Sequence, residues 1–425
     1  MDLEIAYHKS ISFIYDQIAQ VYQGGALVFF KKVGKLLSII PHVLIALPIV
    51  ILIRLLRPWV IVRFAQLHTS RIGHLAGIYE LYLCERDAGM HSPKHHDIFY
   101  ILPPICNYQL KKMYERVFNI SSFAYSLSLA NRCLPGSSTH IVDLLPSRDI
   151  DFNNFLSSVR GHFSFTPEEL QFGENELKKI GIQEKAPFVS FMGRDAAYLN
   201  FYLPDRHWDY HNYRDMNIQN FILAAEELTQ RGYFAIRMGQ KVMTAISVQN
   251  SKVIDYATKY RTDFLDIYLA AKCCFFVNGM SGFDAVPMFL FRRPMVKINF
   301  IPLEGIRSGG AEAIHILKKL WLIKERRFMT FREIIESKAC QFGLTEQYKT
   351  AGIEPIENTP EEIASAVTEM DERLHGTWQT LEEDNELQGR FWDLFKVINP
   401  YINQGGVLKT HIGAEFLRQN RELLK

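Results

Sequence analysis

The sequence predicts an α/β chain with two Rossmann-like, parallel-sheet domains behind an apolar N-terminal segment. Three observations lead there. Strand-like apolar runs alternate with helical runs over most of residues 58–355. The chain has 425 residues, 48% of them hydrophobic and 22% charged, which is more than one ordinary core takes. The stretch Leu36 to Ile53, "LLSIIPHVLIALPIVILI", carries no charge and stands outside the alternation.

That stretch is bracketed by Lys31, Lys32 and Lys35 before it and by Arg54 and Arg57 after it. It neither starts near the first residue nor ends in a small-residue cleavage site, so it is not expected to be a signal peptide. Its length is at the lower limit of a membrane span, and Pro41 and Pro48 would each remove a helix hydrogen bond. Residues 1–57 are therefore expected to associate with a membrane as a kinked, monotopic, re-entrant or single-span element. The basic flanks suit an anionic cytoplasmic leaflet, with "GGALVFFKKVGKLL" lying in the interface. The alternative is a buried hairpin of core helices.

From Pro58 the pattern becomes β-α-β: strand "PWVIVRFAQL", helix "HTSRIGHLAGIYELYLCER", strand "HHDIFYIL" and helix "YQLKKMYERVF". His95, His96 and Asp97, which open that second stretch, are also read as a polar loop leading into the strand. Ser70 is expected to cap the first helix, leaving Arg71 in its first turn, where the macrodipole disfavours a cation. Residues 58–185 form the first domain. It closes with a turn-rich stretch that holds a capped helix at "TPEEL". Residues 186–355 carry the clearest alternation, with strands at "PFVSFM", "YFAIRM", "KVIDYA", "CCFFVN" and "MVKINF", and helices at "NIQNFILAAEELTQR" and "DFLDIYLAAK". Residues 356–425 are read as helices that pack back on the first domain.

Lysine and arginine number 48 against 46 acidic residues, which argues against a nucleic-acid partner relying on a broad basic surface. Six cysteines show neither a CxxC pair nor zinc spacing and suit a reducing compartment. No G-x-G-x-x-G, G-x-x-x-x-G-K-[ST], G-x-S-x-G or H-E-x-x-H occurs. Asp205, His207, Asp209 and His211 in "PDRHWDYH" are close in sequence but match no metal frame, so no metal and no resident cofactor are expected.

Ligands of wound parallel sheets bind beyond the carboxyl ends of the strands. The residues there are Gly193, Arg194 and Asp195; Arg237, Met238 and Gly239; Asn278, Gly279, Ser281 and Gly282; and Asn299 with Glu304. Glycines let amides approach a ligand, Ser281 and Asp284 have the spacing of a helix start, and arginines suit phosphate oxygens. Arg71 with the amides near Ile72 and Gly73 would form an anion site in the first domain.

The segments "SRIGHL", "FMGRDAAYL", "YHNYRDMNI", "GYFAIRMG", "RTDFLDIYLAAK" and "NGMSGFDAVPMFLFRRPMVKIN" together resemble a family of bacterial surface-polysaccharide glycosyltransferases. The resemblance spans about Arg71 to Asn299. It implies the GT-B architecture of two Rossmann-like domains facing across a cleft, with a nucleotide-sugar as substrate and a lipid-linked or polysaccharide acceptor. A more distant similarity is to GT-B fucosyltransferases, whose H-x-R-x-x-D segment would make Arg194 the diphosphate ligand. Met192 stands where that histidine would be and the acid spacing is not reproduced, so the resemblance does not carry fucose over. On this reading Arg194 and Arg237 stabilise the leaving diphosphate, and Asn278, Gly279, Ser281 and Gly282 hold the nucleotide. Met238, Gly239, Asn299 and Glu304 complete the donor side, with Tyr213 and Arg214 over the cleft. Arg71, Gly73 and His74 lie on the acceptor side, and His74 or Asp195 serves as base. A non-catalytic sugar-nucleotide or glycan-binding subunit and a nucleotide-sugar epimerase remain open.

Overall fold

A computed structural model describes residues 2–142, 144, 151, 154–202, 204, 207–306, 311–398 and 409–425, the backbone alone over 2–18 and at 20, 21, 23, 35 and 36. Contacts divide the chain into two compact units, Met1–Leu67 with Ser92–Leu102 and Phe118–Asp143, and His68–His91 with Pro103–Val117 and Leu144–Lys425. This division cuts across the boundary expected at 185/186.

The smaller unit pairs β1 (Ile61–Leu67) with β2 (His95–Ile101) in parallel, from Ile61 opposite His95 to Leu67 opposite Ile101. Single parallel bridges add Ile141 beside Phe64 and Ile120 beside Phe99. The triplet His95-His96-Asp97, expected in a loop, is part of β2, and Asp97 takes Arg63 of β1 at 2.6 Å. α1 (Asp2–Leu55) is broken at Gly25, whose φ of 64° only glycine adopts cheaply. Ala46 and Val50 of α1 are fully buried in a core with Phe64, Tyr100 and the alanine face of α4 (Phe123–Arg132).

The larger unit holds α2 (Ile72–Asp87) and α3 (Tyr108–Val117), both expected in the first domain. α2 is buried at every position from Leu75 to Cys84, the pattern of a helix enclosed on all sides. Asn107 and the Tyr108 amide bond Asp263 at 2.9 and 2.8 Å. Among the described residues, seven strands form this unit's parallel sheet: β3 (Phe188–Met192), β4 (Phe234–Arg237), β5 (Val253–Ile254), β6 (Phe276–Asn278), β7 (Met295–Phe300), β8 (Ala313–Leu317) and β12 (Thr410–Ile412). Their order is β12-β8-β7-β6-β3-β4-β5. The chain winds outward from β3 through β4 to β5, then returns to β6 and winds the other way, so the strand order reverses between β3 and β6. All six residues of β7 are buried, as a strand covered on both faces requires.

A second sheet, β9 (Lys319–Leu322), β10 (Arg327–Phe328) and β11 (Ile353–Ile356), is antiparallel with β9 central. Expectation and structure part company in the C-terminal tail. It completes the larger unit instead of returning to the first domain: β12 pairs with β8, and helix Pro360–His375 packs on helix Ile222–Gln230, where Asp371 takes Arg231 and the Tyr233 hydroxyl.

One buried ion cluster fastens α2. Glu80, fully buried, accepts from Arg292 at 2.8 Å and from His162 at 3.1 Å, while the other His162 nitrogen reaches Asp87 at 3.0 Å. Glu80, Cys84 and His162 lie close enough to share a metal, yet the Arg292 guanidinium occupies the space, 3.5 Å from the Cys84 sulfur. Burial works against charge on His162, but hydrogen bonds and charge from Glu80 and Asp87 outweigh it and hold its pKa above the ordinary value. The stability so gained is present below the unfolded value and lost as pH rises through the raised folded one. His162→Gln should cost about 1.5 to 3 kcal/mol at pH 5.5 and much less at pH 9. Urea unfolding at the two pH values measures the difference.

Candidate anion-binding site

Hydrogen-bonded register puts the ends of β4, β3 and β6 side by side, with Phe191 opposite Arg237 and Met192 opposite Asn278. The loops beyond them, Gly193–Asp195, Met238–Lys241 and Met280–Phe283, enclose a cavity of about 260 Å³ together with the start of α2 and the turn after Trp208. It sits where the strand order reverses, the crevice at which wound sheets bind ligands.

Two glycines set its depth. A Cβ built on Gly73 would stand 2.8 Å from the Gly282 carbonyl oxygen and 2.9 Å from its Cα, so the α2 backbone touches the 279–282 turn only because Gly73 has no side chain. Ser70 does not cap α2: Arg71 is the cap residue, extended at φ −133°, and among the described residues no side chain caps the helix. The first-turn amides of a 16-residue helix therefore open on the cavity.

The charge around the cavity is lopsided. Arg71, Arg194, Arg214 and Lys241 line it. Arg194 is 92% buried; it pairs with Asp215, gives Nη1 to the His211 carbonyl at 3.2 Å, and has an Nη2 with no partner among the described residues. Burial first, then the charge of Arg214, lowers its pKa to about 10. Arg71 lies 5.6 Å over the Trp208 ring, Arg214 5.6 Å over Tyr213, and Lys241 4.1 Å over Phe201. Among the described residues, none of these three has a carboxylate at ion-pair distance.

The two lining acids are engaged elsewhere. Asp195 accepts the amides of Ala197 and Met243, both at 2.9 Å, and Asp266 accepts Arg261 and the Tyr256 hydroxyl. His211 sits among the arginines with a buried Nδ1 that has no partner among the described residues. Burial and the charges of Arg214, Arg194 and Arg71 push its pKa down to about 4. The turn carrying it is fixed at both sides: Thr345 accepts the Tyr213 amide and donates to the Asp209 carbonyl, and Lys318 donates to the Asp215 carbonyl at 2.7 Å.

Of the residues singled out in the sequence, the structure brings Arg71, Gly73, His74, Arg194, Asp195, Arg214, Met238, Gly239, Ser281 and Gly282 to this one cavity. Donor-side and acceptor-side candidates are thus gathered within a single unit. Gly239, at φ 151°, turns the chain out of β4.

Other expected positions need correction. Arg237 is 1% exposed and faces away from the cavity, paired with Asp255 at 3.0 Å and bonded to the Thr244 carbonyl; side chains alternate along a strand, and its register puts it in the core. Tyr213 is buried against Tyr348, 5.3 Å between ring centroids. Asn278 supports the cavity from behind, its Nδ2 donating to Ser281 Oγ at 3.0 Å, and Gly279 packs against Met216. Asn299 exchanges 2.6 Å bonds with Asn358, which ties β7 to helix Pro360–His375. Glu304 lies in the turn Leu303–Gly305, outside the cavity lining. The Ser281–Asp284 capping box does not form, because Asp284 pairs with Lys297.

The sequence reading missed Trp208, His211, Tyr198, Lys241 and Phe283. For Trp208 and His211 the signal was "PDRHWDYH", weighed there as a metal loop; Asp205 lies outside the described residues, and Asp209 is not in the lining.

No family model and no curated protein matches the chain. Among solved structures it is similar to a family 9 glycosyl transferase from Veillonella parvula, with 11% identity over 73% of this chain and 97% of that one at a TM-score of 0.43. It is also similar to the ADP-heptose lipopolysaccharide heptosyltransferase II of E. coli, with 13% identity over 55% and 84% at 0.30. At these scores neither likeness bears on the chemistry of the cavity, which rests on its own residues.

Arg194→Ala and Arg214→Ala should each weaken pyrophosphate binding by roughly ten- to a hundredfold, as befits a charge-assisted contact of about 1.5 to 3 kcal/mol. Arg237→Ala should instead destabilise the fold by about 3 to 5 kcal/mol, because it strands buried Asp255. Calorimetric titration and urea unfolding of the three variants separate the two effects. An anion beside His211 offsets the charges that depress its pKa, so binding should take up protons and tighten as pH falls from 7 to 5. His211→Gln should flatten that slope, read by titration in buffers of different ionisation enthalpy.

Proposed function

We propose that the chain is a glycosyltransferase of GT-B type that binds a nucleotide-sugar diphosphate in this cavity and transfers the sugar to a lipid-linked or polysaccharide acceptor. One observation carries the reading. At the reversal of a Rossmann-ordered sheet, three cations without carboxylate partners among the described residues and an Arg194 Nη2 likewise unpartnered among them converge beside a helix start that no described side chain caps. A ligand bearing several phosphate oxygens satisfies all of them at once.

The chemistry follows from charge. As the glycosidic bond to the diphosphate breaks, the leaving group gains negative charge, and Arg71, Arg194, Arg214 and Lys241 stabilise it without reorganising. A site built this way favours the departing diphosphate over the intact donor. His74 and His211 line the cavity and are the groups able to accept the acceptor hydroxyl proton. Asp195, with both carboxylate oxygens taking amides, acts as a staple between the two strand-end loops. The same arginines make donor binding independent of a divalent metal.

A screen of nucleoside diphosphates and their sugar esters by thermal shift should find one base that stabilises the protein. The free diphosphate should bind more tightly than its sugar ester, and binding should survive EDTA. Release of nucleoside diphosphate that speeds up with a glycan or lipid-linked acceptor shows transfer. Binding that never leads to release would identify a binding subunit. Failure of every diphosphate to bind would remove the proposal.

A further inference from the structure

The second half of α1, Gly24–Leu55, is among the described residues the one helical stretch long and apolar enough to cross a membrane, and only 12% of its most apolar window is buried. Its two faces differ. Ala46 and Val50 are buried against α4, with His42 on the same face donating to or accepting from Ser126 Oγ at 2.9 Å. Arg54 closes the docking: its guanidinium bonds the Asn131 side chain at 2.7 Å, the Asn131 carbonyl at 3.0 Å and the Pro135 carbonyl at 2.6 Å. The opposite face is a continuous exposed stripe of Leu37, Leu44, Ile45, Ile49, Leu52 and Leu55, prolonged by Trp59.

We infer that α1 lies in the plane of an anionic bilayer as a monotopic anchor, its exposed stripe in the acyl boundary and its docked face on the smaller unit, and does not cross the membrane.

Both spanning registers fail on physical grounds. A span over 36–53 would draw in the partners of its docked face, among them Ser126 and the Arg54–Asn131 bonds, and polar groups held in hydrocarbon are costly. A span shifted toward the N-terminus, over 24–41, would carry Lys31, Lys32 and Lys35 through the bilayer centre. The prolines point the same way. Pro41 and Pro48 are exposed, and each removes the helical donor for the carbonyl four residues earlier, at Leu37 and Leu44. Interfacial water can satisfy those carbonyls, whereas a dry core cannot. Exposed Lys31, Arg57 and Lys94 supply the charge that an anionic surface attracts, and an exposed Trp59 suits the headgroup level.

The inference is independent of the proposed transferase activity, because vesicle partition needs neither donor nor turnover. The full chain, tagged at both ends, is reconstituted into phosphatidylcholine vesicles with and without phosphatidylglycerol and treated with external protease. An in-plane anchor loses both tags from outward-facing molecules and neither from enclosed ones, and partition is stronger with the anionic lipid. Molecules that lose one tag and keep the other are spanning, and that result overturns the inference. The triple variant Leu44→Glu, Ile49→Glu and Leu52→Glu alters only the exposed face. It should reduce flotation roughly a hundredfold or more while circular dichroism stays unchanged. A variant that floats like the parent, or a parent that ignores vesicles and runs as a dimer dispersed by the same variant, overturns it equally.

Discussion

A parallel sheet wound in two directions opens a crevice where its order reverses, because the crossovers on either side leave toward opposite edges. Here that point falls between β3 and β6, and the rest of the larger unit is arranged around it. Neighbouring strands end level, so three loops converge without long excursions. α2 then closes the fourth side, its approach limited by one atom: the missing Cβ of Gly73 against the Gly282 backbone. The Glu80 cluster holds α2 in that place from its buried face, through Arg292 and His162. Sheet topology, a glycine and a buried carboxylate thus fix one cavity between them.

Electrostatics makes the arrangement functional and costly together. Burial, and after it the mutual repulsion of guanidinium groups clustered in a half-enclosed space, lowers the pKa of Arg194 and depresses that of His211. Folding offsets part of this through Asp215, and aromatic faces under Arg71, Arg214 and Lys241 offset a little more. A structural network would have been neutralised by acids, as Arg237 and Arg261 are. The arginines of the cavity are left short of charge on the side that faces open space, and a bound anion supplies what the protein withholds.

The parts of this legible in sequence were those written in local pattern. The β-α-β alternation placed β3, β4, β6 and β7, and reading the residues just past each strand found Arg194, Gly239, Ser281 and Gly282. Arg237 misled because strand ends alternate between faces, and a one-residue shift decides whether a guanidinium meets ligand or core. Trp208 and His211 were hidden because long loops carry no periodicity; their position depends on Thr345 and Lys318, more than a hundred residues away. β8 and β9 were missed because Lys318 alone separates them, which breaks the strand-helix alternation, and β12 because it joins the sheet from residue 410, far along the chain from its partner β8. The grouping of α2 and α3 with the C-terminal unit is a tertiary choice, made by what their buried faces meet.

The smaller unit poses the opposite problem, a sheet too narrow to bury much. Two paired strands and two single bridges leave Phe64 and Tyr100 to be covered from one side, and a small core gains little stability from its own area. α1 supplies the missing surface with Ala46 and Val50, small side chains that let its backbone approach α4, and Arg54 caps the carbonyls at the end of α4. The helix that exposes the longest apolar stripe of the protein is therefore also part of a core. That double use explains its composition: a detachable anchor needs only hydrophobicity, whereas α1 carries His42, Ala46, Val50 and Arg54 at the spacing of one face inside a largely aliphatic run. Those residues fix the rotation of the helix about its axis, and with it the direction in which the exposed stripe points.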